Sequence, residues 1–186
     1  MKTSNNKKQL DYSRDIEPII KKYQLENNDD CKKAVELIRQ NDPKGYNQLG
    51  ALLSNSKPLN LAEQRIVFKM TEKAAEMGLD NARFNIGGSY LMGIGVGRDV
   101  GKGITILEST FLMVFSKVFT KYPYDSVEST RMCELHNRFV LEMGKFLKAV
   151  DSSKDLNVLK KRYVQLIETT SLISYVYETG DVSILM

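Results

Sequence analysis

The stretch with the clearest potential for chemistry is NIGGSYLMGIGVGRDVGKG, residues 85–103, which holds seven of the chain's twelve glycines. Glycine-rich loops bind phosphate when their backbone N–H groups converge on it. A P-loop built on Gly101–Lys102 would need glycine at position 96 and Ser or Thr at position 103, where the chain has valine and glycine. A dinucleotide-binding loop built on Gly93–Gly95 would need glycine at position 98, which is arginine. The spacing therefore predicts structural roles: close helix packing at Gly87, and unusual backbone angles at Gly93 and Gly95.

The single histidine, His136, lies three residues after Cys133 in the sequence CELH. On a helix these two side chains share a face, but a tetrahedral zinc site needs two further ligands, and Cys31 has no ligand-type neighbour that would supply the set. We therefore expect His136 to pack on a helix face. With one histidine, no nucleophile-elbow motif and dispersed carboxylates, the sequence predicts no catalytic site, no metal site and no cofactor.

Composition limits the class of protein. The chain has 186 residues, a formal charge of +4, and 27 basic residues set against 23 acidic ones. Because the basic pairs are scattered and no aromatic platform is interleaved with them, we expect no nucleic-acid binding. There is no secretory signal pattern and no apolar run long enough to span a membrane, so we expect a cytoplasmic chain whose two cysteines are free thiols.

Apolar residues recur at intervals of three and four along most of the chain, which predicts helices. Asp29 or Asp30 is the expected N-cap of the helix containing CKKAVELIRQ. The turn NDPKG then ends that helix, and a new one is expected near Lys44. Gly78 is the expected stop of the helix after that, and Asp99 is a plausible N-cap for the helix that follows the glycine loop.

Two segments of the chain repeat each other. Aligning Leu49–Gly50 with Ile86–Gly87 gives an offset of 37 residues, and aligning Met70 with Ile106 gives 36. A period of about 36 residues made of two helices is typical of a solenoid, in which each hairpin buries its apolar face against its neighbour. The helix pairs are expected near residues 44–77 and 80–117.

These residues resemble the Sel-one-like repeats (SLR), relatives of the tetratricopeptide repeats (TPR), most clearly over residues 44–110. The segment EKAAEMG, residues 72–78, matches the end of one repeat. The next repeat is matched in order and spacing by Ala82, Ile86–Gly87, Tyr90, Gly93-Ile94-Gly95-Val96, Asp99 and Lys102. The chain departs from the pattern at Ile106, where an aromatic residue is usual, at Ser109–Thr110, and in the first repeat's loop, which lacks Gly-x-Gly-Val.

The resemblance implies an all-α fold, a short right-handed α-solenoid of SLR/TPR-like hairpins. We expect an N-terminal tail and capping helix at 1–43, two repeats at 44–117 and a C-terminal helical hairpin at 118–186, all in one domain. Residues 111–124 are apolar on nearly all sides and must be deeply buried or covered by a partner. The two C-terminal helices, joined by the linker at 151–155, form either a cap that covers them or a separate oligomerisation module.

The resemblance also implies the function, because SLR proteins are mostly bacterial interaction modules and adaptors. We therefore expect a non-enzymatic protein that binds another protein in the solenoid groove: a cytoplasmic adaptor, a regulator or an immunity-type protein. The alternatives are a small helical enzyme and a nucleic-acid-binding regulator. No membrane partner is expected, and the oligomeric state stays open.

Transferred by register from the tetratricopeptide hairpin, the groove is lined by first-helix residues of each repeat. In the first repeat these are Lys44, Asn47, Ala51, Ser54 and Asn55; in the second they are Asn81, Phe84, Gly88, Leu91 and Met92. The first set is polar, while the second offers an apolar aromatic and thioether patch that could hold one side chain of a bound peptide. The alternative for Phe84 and Leu91 is packing against a neighbouring helix.

Overall fold

The structure, a computed structural model, describes residues 10–121, 123, 125–152 and 156–179. A π-helical turn at Tyr12–Ile16 leads into the first α-helix, and within the described residues there is no β-strand, which confirms the all-α prediction. The helices are α1 (Glu17–Lys22), α2 (Asp29–Arg39), α3 (Pro43–Ser56), α4 (Leu61–Glu76), α5 (Asp80–Met92), α6 (Val100–Lys121), α7 (Val127–Ser152) and α8 (Leu156–Thr179). The pairs α3–α4 and α5–α6 coincide with the two predicted hairpins.

The helix boundaries follow from capping residues. Asn28 caps α2 by accepting a 2.9 Å hydrogen bond from the Cys31 N–H, so the prediction of Asp29 or Asp30 is wrong by a residue or two. Both aspartates instead lie in the first turn, where negative charge suits the helix dipole. The predicted cap of α6 is confirmed, because Asp99 Oδ1 accepts a 2.9 Å hydrogen bond from the Lys102 N–H.

The predicted stop of α4 is also confirmed. Gly78 has φ +96°, a conformation that residues with a Cβ rarely adopt. Its N–H donates to Ala75 O at 3.0 Å, and the Leu79 N–H donates to Ala74 O at 3.1 Å, so carbonyls of the last turn are satisfied. After this end of α4, the chain begins α5 at Asp80.

The chain divides into two compact units. Of the described residues, those up to 82 and 93–98 form unit 1, and those of 83–92 and from 99 onward form unit 2. Within unit 1, α2 packs directly on α3 and shares its core, so α2 and the pair α3–α4 belong to one body. The organisation into one domain with boundaries after residues 43 and 117 stays a prediction.

Unit 1 is held together by a core drawn from the π-helical turn and α1–α4. Gly45 lets α3 lie close to α2, since a Cβ there would be 2.6 Å from both Ala34 O and Ile38 N. On the other side of α3, Gly50 faces Val67 and Thr71 of α4. The buried apolar residues of this core are Ile16, Ile19, Ile20, Leu25, Cys31, Ala34, Ile38, Leu49, Leu53, Val67 and Met70.

Unit 2 contains the rest of α5 with α6, α7 and α8. Its buried core is formed by Phe84, Leu91, Leu107, Phe111, Val114, Met132, Leu135, Phe139, Met143, Phe146, Leu166, Ile173 and Val176. In the segment predicted to be deeply buried or covered by a partner, residues 111–124, Phe111 and Val114 are buried whereas Leu112 is exposed. The predicted long C-terminal helices exist as α7 and α8 and pack on each other, although residues 153–155 of the linker lie outside the described residues.

Candidate functional site

The exposed side of α3 carries most of the site residues predicted for the first repeat. Lys44, Ser54 and Asn55 are exposed, and Asn47 is half-buried. The predicted Ala51 is exposed as well. The opposite side of the helix is buried at Gly45, Leu49, Gly50 and Leu53, so the helical period leaves this polar side toward solvent.

Gln48 belongs to the same side of α3 and was missed by the transferred register. It is exposed, and it lies one turn after Lys44. The helical period alone could have found it, since positions 44, 48, 51 and 55 share one face. We call Lys44, Gln48, Ala51, Ser54 and Asn55 the α3 face.

Within the described residues, the side chains of Lys44, Gln48, Ser54 and Asn55 make no hydrogen bond or ion pair. Their ammonium, amide and hydroxyl groups are therefore available donors and acceptors over a helical length of about 17 Å. Asn47 is less available to a partner, because it is half-buried and already interacts with another group of the chain. The α3 face can therefore bind a polar chain or surface through hydrogen bonds.

The site residues predicted for the second repeat are less exposed than those of the first repeat. Asn81 and Met92 are half-buried, and Gly88 is buried. Phe84 is only 2% exposed and Leu91 is fully buried, both in the core of unit 2. Phe84 and Leu91 therefore pack in the core, as the alternative of packing against a neighbouring helix predicts. Neither presents its side chain to a partner in this conformation.

The glycine loop approaches α4 by its backbone. Gly93 and Gly95 have φ values of +70° and +71°, as expected from their proposed structural role. A Cβ on Gly95 would clash with Gln64 O and lie 2.8 Å from Phe68 Cβ. Glycine at position 95 is thus explained by a close contact between backbones and does not require a phosphate.

The other motif residues of the SLR resemblance contact one another within unit 2. Lys102 donates a 2.6 Å hydrogen bond from Nζ to the Tyr90 hydroxyl, and its Nζ lies 4.1 Å from the centre of the tyrosine ring. The Asp99 N–H donates to Tyr90 O at 2.9 Å. Gly87 and Leu107 pack so closely that a Cβ on the glycine would be 2.7 Å from Leu107 Cγ. These contacts hold the end of α5 against the start of α6.

His136 and Cys31 occupy packing positions, whereas Cys133 is exposed. His136 lies with its ring centre 4.8 Å from that of Phe111, as the helix-face prediction requires. Among the described residues no three His, Cys, Asp or Glu side chains come together in a way that could hold a metal ion. Both cysteines are free thiols, and burial raises the pKa of Cys31.

A groove of about 460 Å³ lies in unit 1 between the N-terminal turns and α2. Its charged groups neutralise one another: Glu17 pairs with Lys21 at 2.7 Å, and Glu36 pairs with Arg39 at 3.7 Å. Burial raises the pKa of Tyr12, which also lines the groove, although nearby Arg39 acts in the opposite direction. The balanced charges select neither an anionic nor a cationic ligand.

Glu63 is a strongly buried carboxylate, only 7% exposed, with a network of hydrogen bonds. Its oxygens accept hydrogen bonds from Lys22 Nζ at 2.5 Å, from the Tyr23 hydroxyl at 2.9 Å and from the Asn60 N–H at 2.9 Å. Burial alone would raise the pKa of Glu63, but these hydrogen bonds outweigh it, so the pKa lies below its ordinary value. The network attaches α1 to the start of α4 and engages both oxygens of the carboxylate.

Comparison with family models, with curated proteins and with solved structures gives no match. The resemblance to the SLR family therefore rests on the sequence motifs alone. Across the part of the chain that the structure describes, none of the helices combines the length and apolar character needed to cross a membrane.

Proposed function

We propose that this chain is a non-enzymatic interaction protein that binds another protein through the α3 face. The observation that supports this proposal is the run of exposed donors and acceptors from Lys44 to Asn55, which includes three positions transferred from the tetratricopeptide groove: Lys44, Ser54 and Asn55. A rigid helix that displays unpaired amide and hydroxyl groups fixes the register of a bound chain by hydrogen bonds. The helical hairpins form a short right-handed SLR solenoid in this proposal.

The biological setting follows from the resemblance. SLR proteins act mostly as bacterial adaptors, so this chain is a cytoplasmic adaptor, regulator or immunity-type protein. The burial of Phe84 and Leu91 changes the expected partner contact, since neither can anchor an apolar side chain while it lies in the core. The partner is accordingly held mainly by polar contacts to α3.

Site-specific photo-crosslinking in the source organism tests the proposal. A photoreactive residue at position 55 is expected to capture a defined partner, while the same residue at position 161, an exposed site on α8, does not. With the purified partner, Ser54→Arg together with Asn55→Arg should weaken binding at least 10-fold while circular dichroism stays unchanged. Capture from position 161 alone, or unchanged affinity in the double variant, would place the interface outside the α3 face.

A further inference from the structure

The N-terminal half of α4 displays cationic and apolar side chains together. Leu61 is 71% exposed, and Arg65 and Lys69 are exposed at the two following turns on the same side of the helix. Four residues of α-helix correspond to a rise of about 6 Å, so these three side chains form a short regular row. None of them belongs to the α3 face.

The glycine loop carries a second exposed apolar side chain and contacts the same helix. Ile94 is 41% exposed, and it immediately precedes Gly95, which is in contact with Gln64 and Phe68 of α4. Leu61 lies one turn before Gln64 on that helix. Ile94 is thus one residue, and Leu61 one helical turn, from a backbone contact that requires glycine at position 95. We call Leu61, Arg65, Lys69 and Ile94 the α4 surface.

The charges of the α4 surface are not neutralised within the described part of the chain. Neither Arg65 nor Lys69 has an ion pair or hydrogen bond there. The acidic residues on the same side, Glu72 and Glu76, come only in the C-terminal half of α4. The N-terminal half therefore presents two unpaired cations beside exposed apolar area, and a partner with carboxylates would complement it.

We propose that the α4 surface binds an acidic segment of a partner protein. A large apolar side chain of that segment covers Leu61 and Ile94, and its carboxylates pair with Arg65 and Lys69. Carboxylates about 6 Å apart match the spacing of the two cations. A helical peptide provides this spacing between every fourth residue, and an extended peptide between every second. This inference goes beyond the proposed function, because it concerns residues outside the α3 face.

The surface fits an acidic peptide better than a nucleic acid or a membrane. Nucleic-acid binding draws on many phosphate contacts, and here two cations stand beside two aliphatic side chains with no exposed aromatic residue among them. An extended anionic surface would also meet Glu72 and Glu76 on the same side of α4. A short peptide can end before it reaches them, and its apolar side chain removes Leu61 from water.

Selection from a random 12-residue peptide library on the full chain, followed by fluorescence polarisation with the enriched peptides, tests the inference. We expect peptides that combine Asp or Glu with a large apolar residue. Their affinity should fall at least 10-fold in Arg65→Glu/Lys69→Glu and several-fold in Leu61→Ala. The matched controls are Arg138→Glu/Lys148→Glu, which makes the same charge change on α7, and Leu141→Ala, which truncates another exposed leucine.

The result that overturns the inference is equally specific. Enrichment of neutral or basic peptides, absence of any acidic consensus, or equal weakening by the α4 and α7 charge variants would each contradict it.

A 20-base-pair DNA duplex and vesicles of phosphatidylcholine with one fifth phosphatidylserine serve as the other probes. Binding of either probe that depends on Arg65 and Lys69, without peptide binding, would also exclude the acidic peptide. Variants of Ser54 and Asn55 should leave peptide affinity unchanged, so the two proposals fail separately.

Discussion

Glu63 in α4 accepts a 2.5 Å hydrogen bond from Lys22 in α1, a residue 41 positions earlier in the chain. The same carboxylate also forms the capping box of α4 with Asn60, so one side chain both begins a helix and attaches the N-terminal segment to it. Tyr23 strengthens the attachment, because its hydroxyl donates to the other carboxylate oxygen at 2.9 Å.

We expect Glu63→Ala to lower the free energy of unfolding by about 1–3 kcal/mol, because it removes the capping box of α4 and the shared acceptor of Lys22 and Tyr23. Urea denaturation followed by circular dichroism measures the change. Glu108→Ala, at an exposed glutamate of α6, is the control and should be within about 0.5 kcal/mol of the parent. Equal effects of both substitutions would mean that the network contributes nothing to stability.

The contribution of Glu63 should depend on pH. Its folded pKa is lowered, so the stabilisation is fully present above the unfolded pKa of about 4.3 and is lost as the pH falls through the folded pKa. The stability difference between the parent and Glu63→Gln is therefore expected to be constant from pH 5 to 7 and to shrink below pH 4. Urea titrations at several pH values measure this difference. A difference that grows on acidification would show that the folded pKa is raised.

Gly95→Ala should lower the free energy of unfolding by about 2 kcal/mol or more, since it combines positive φ with a clash against the backbone of Gln64. Gly97→Ala is the matched control in the same loop, because a Cβ there meets nothing within 4 Å. Thermal denaturation of both variants provides the comparison. Calorimetric titration of the parent with ATP should show no binding, and affinity that disappears in a stable Gly95→Ala protein would contradict the structural role.

Two glycines within helices should respond to alanine with opposite signs. Gly87→Ala is expected to cost about 1–3 kcal/mol, because the new Cβ would lie 2.7 Å from Leu107 Cγ in the core of unit 2. Gly144→Ala, in α7, meets no neighbouring atom within 4 Å and should gain about 0.5–1 kcal/mol from helix propensity. Melting temperatures that shift in the same direction for both variants would refute this pattern.

Phe84→Ala should act on folding and not on binding. Removing a ring that is 2% exposed typically costs about 3–5 kcal/mol. Leu112→Ala truncates an exposed side chain of the same unit and should change stability by less than about 0.5 kcal/mol. Chemical denaturation of the two variants distinguishes the cases, and a stable Phe84→Ala protein would return this residue to the candidate partner surface.

Local features of the fold were predictable from the sequence. The helical period located the hairpins of α3–α4 and α5–α6, Gly78 marked the end of α4, and Asp99 marked the start of α6. Each of these depends on interactions within a few residues: side-chain spacing along one helix, a cap, or the backbone freedom of glycine. Even here the cap of α2 was placed a residue or two late, because Asn28 and the two aspartates are similar capping residues.

The candidate site was predictable only in part. The polar side of α3 follows from the helical period, and its exposure matches the transferred positions at Lys44, Ser54 and Asn55. The α4 surface was not predicted, because its apolar members, Leu61 and Ile94, lie 33 residues apart in the chain, and only the contact of Gly95 with α4 brings their segments together. The SLR resemblance predicted a groove lined by the first helix of each repeat, and α4 is the second helix of its pair.

The sequence by itself determined which segments are helical, where glycine is required, and which residues share a helix face. The tertiary structure decided which of those faces are covered: Phe84 and Leu91 lie in a core, while Leu61 is exposed. It also decided that Glu63 is buried with partners from α1. Periodicity defines a face from neighbours three and four residues apart, but burial and ion pairing depend on which distant segment packs against that face.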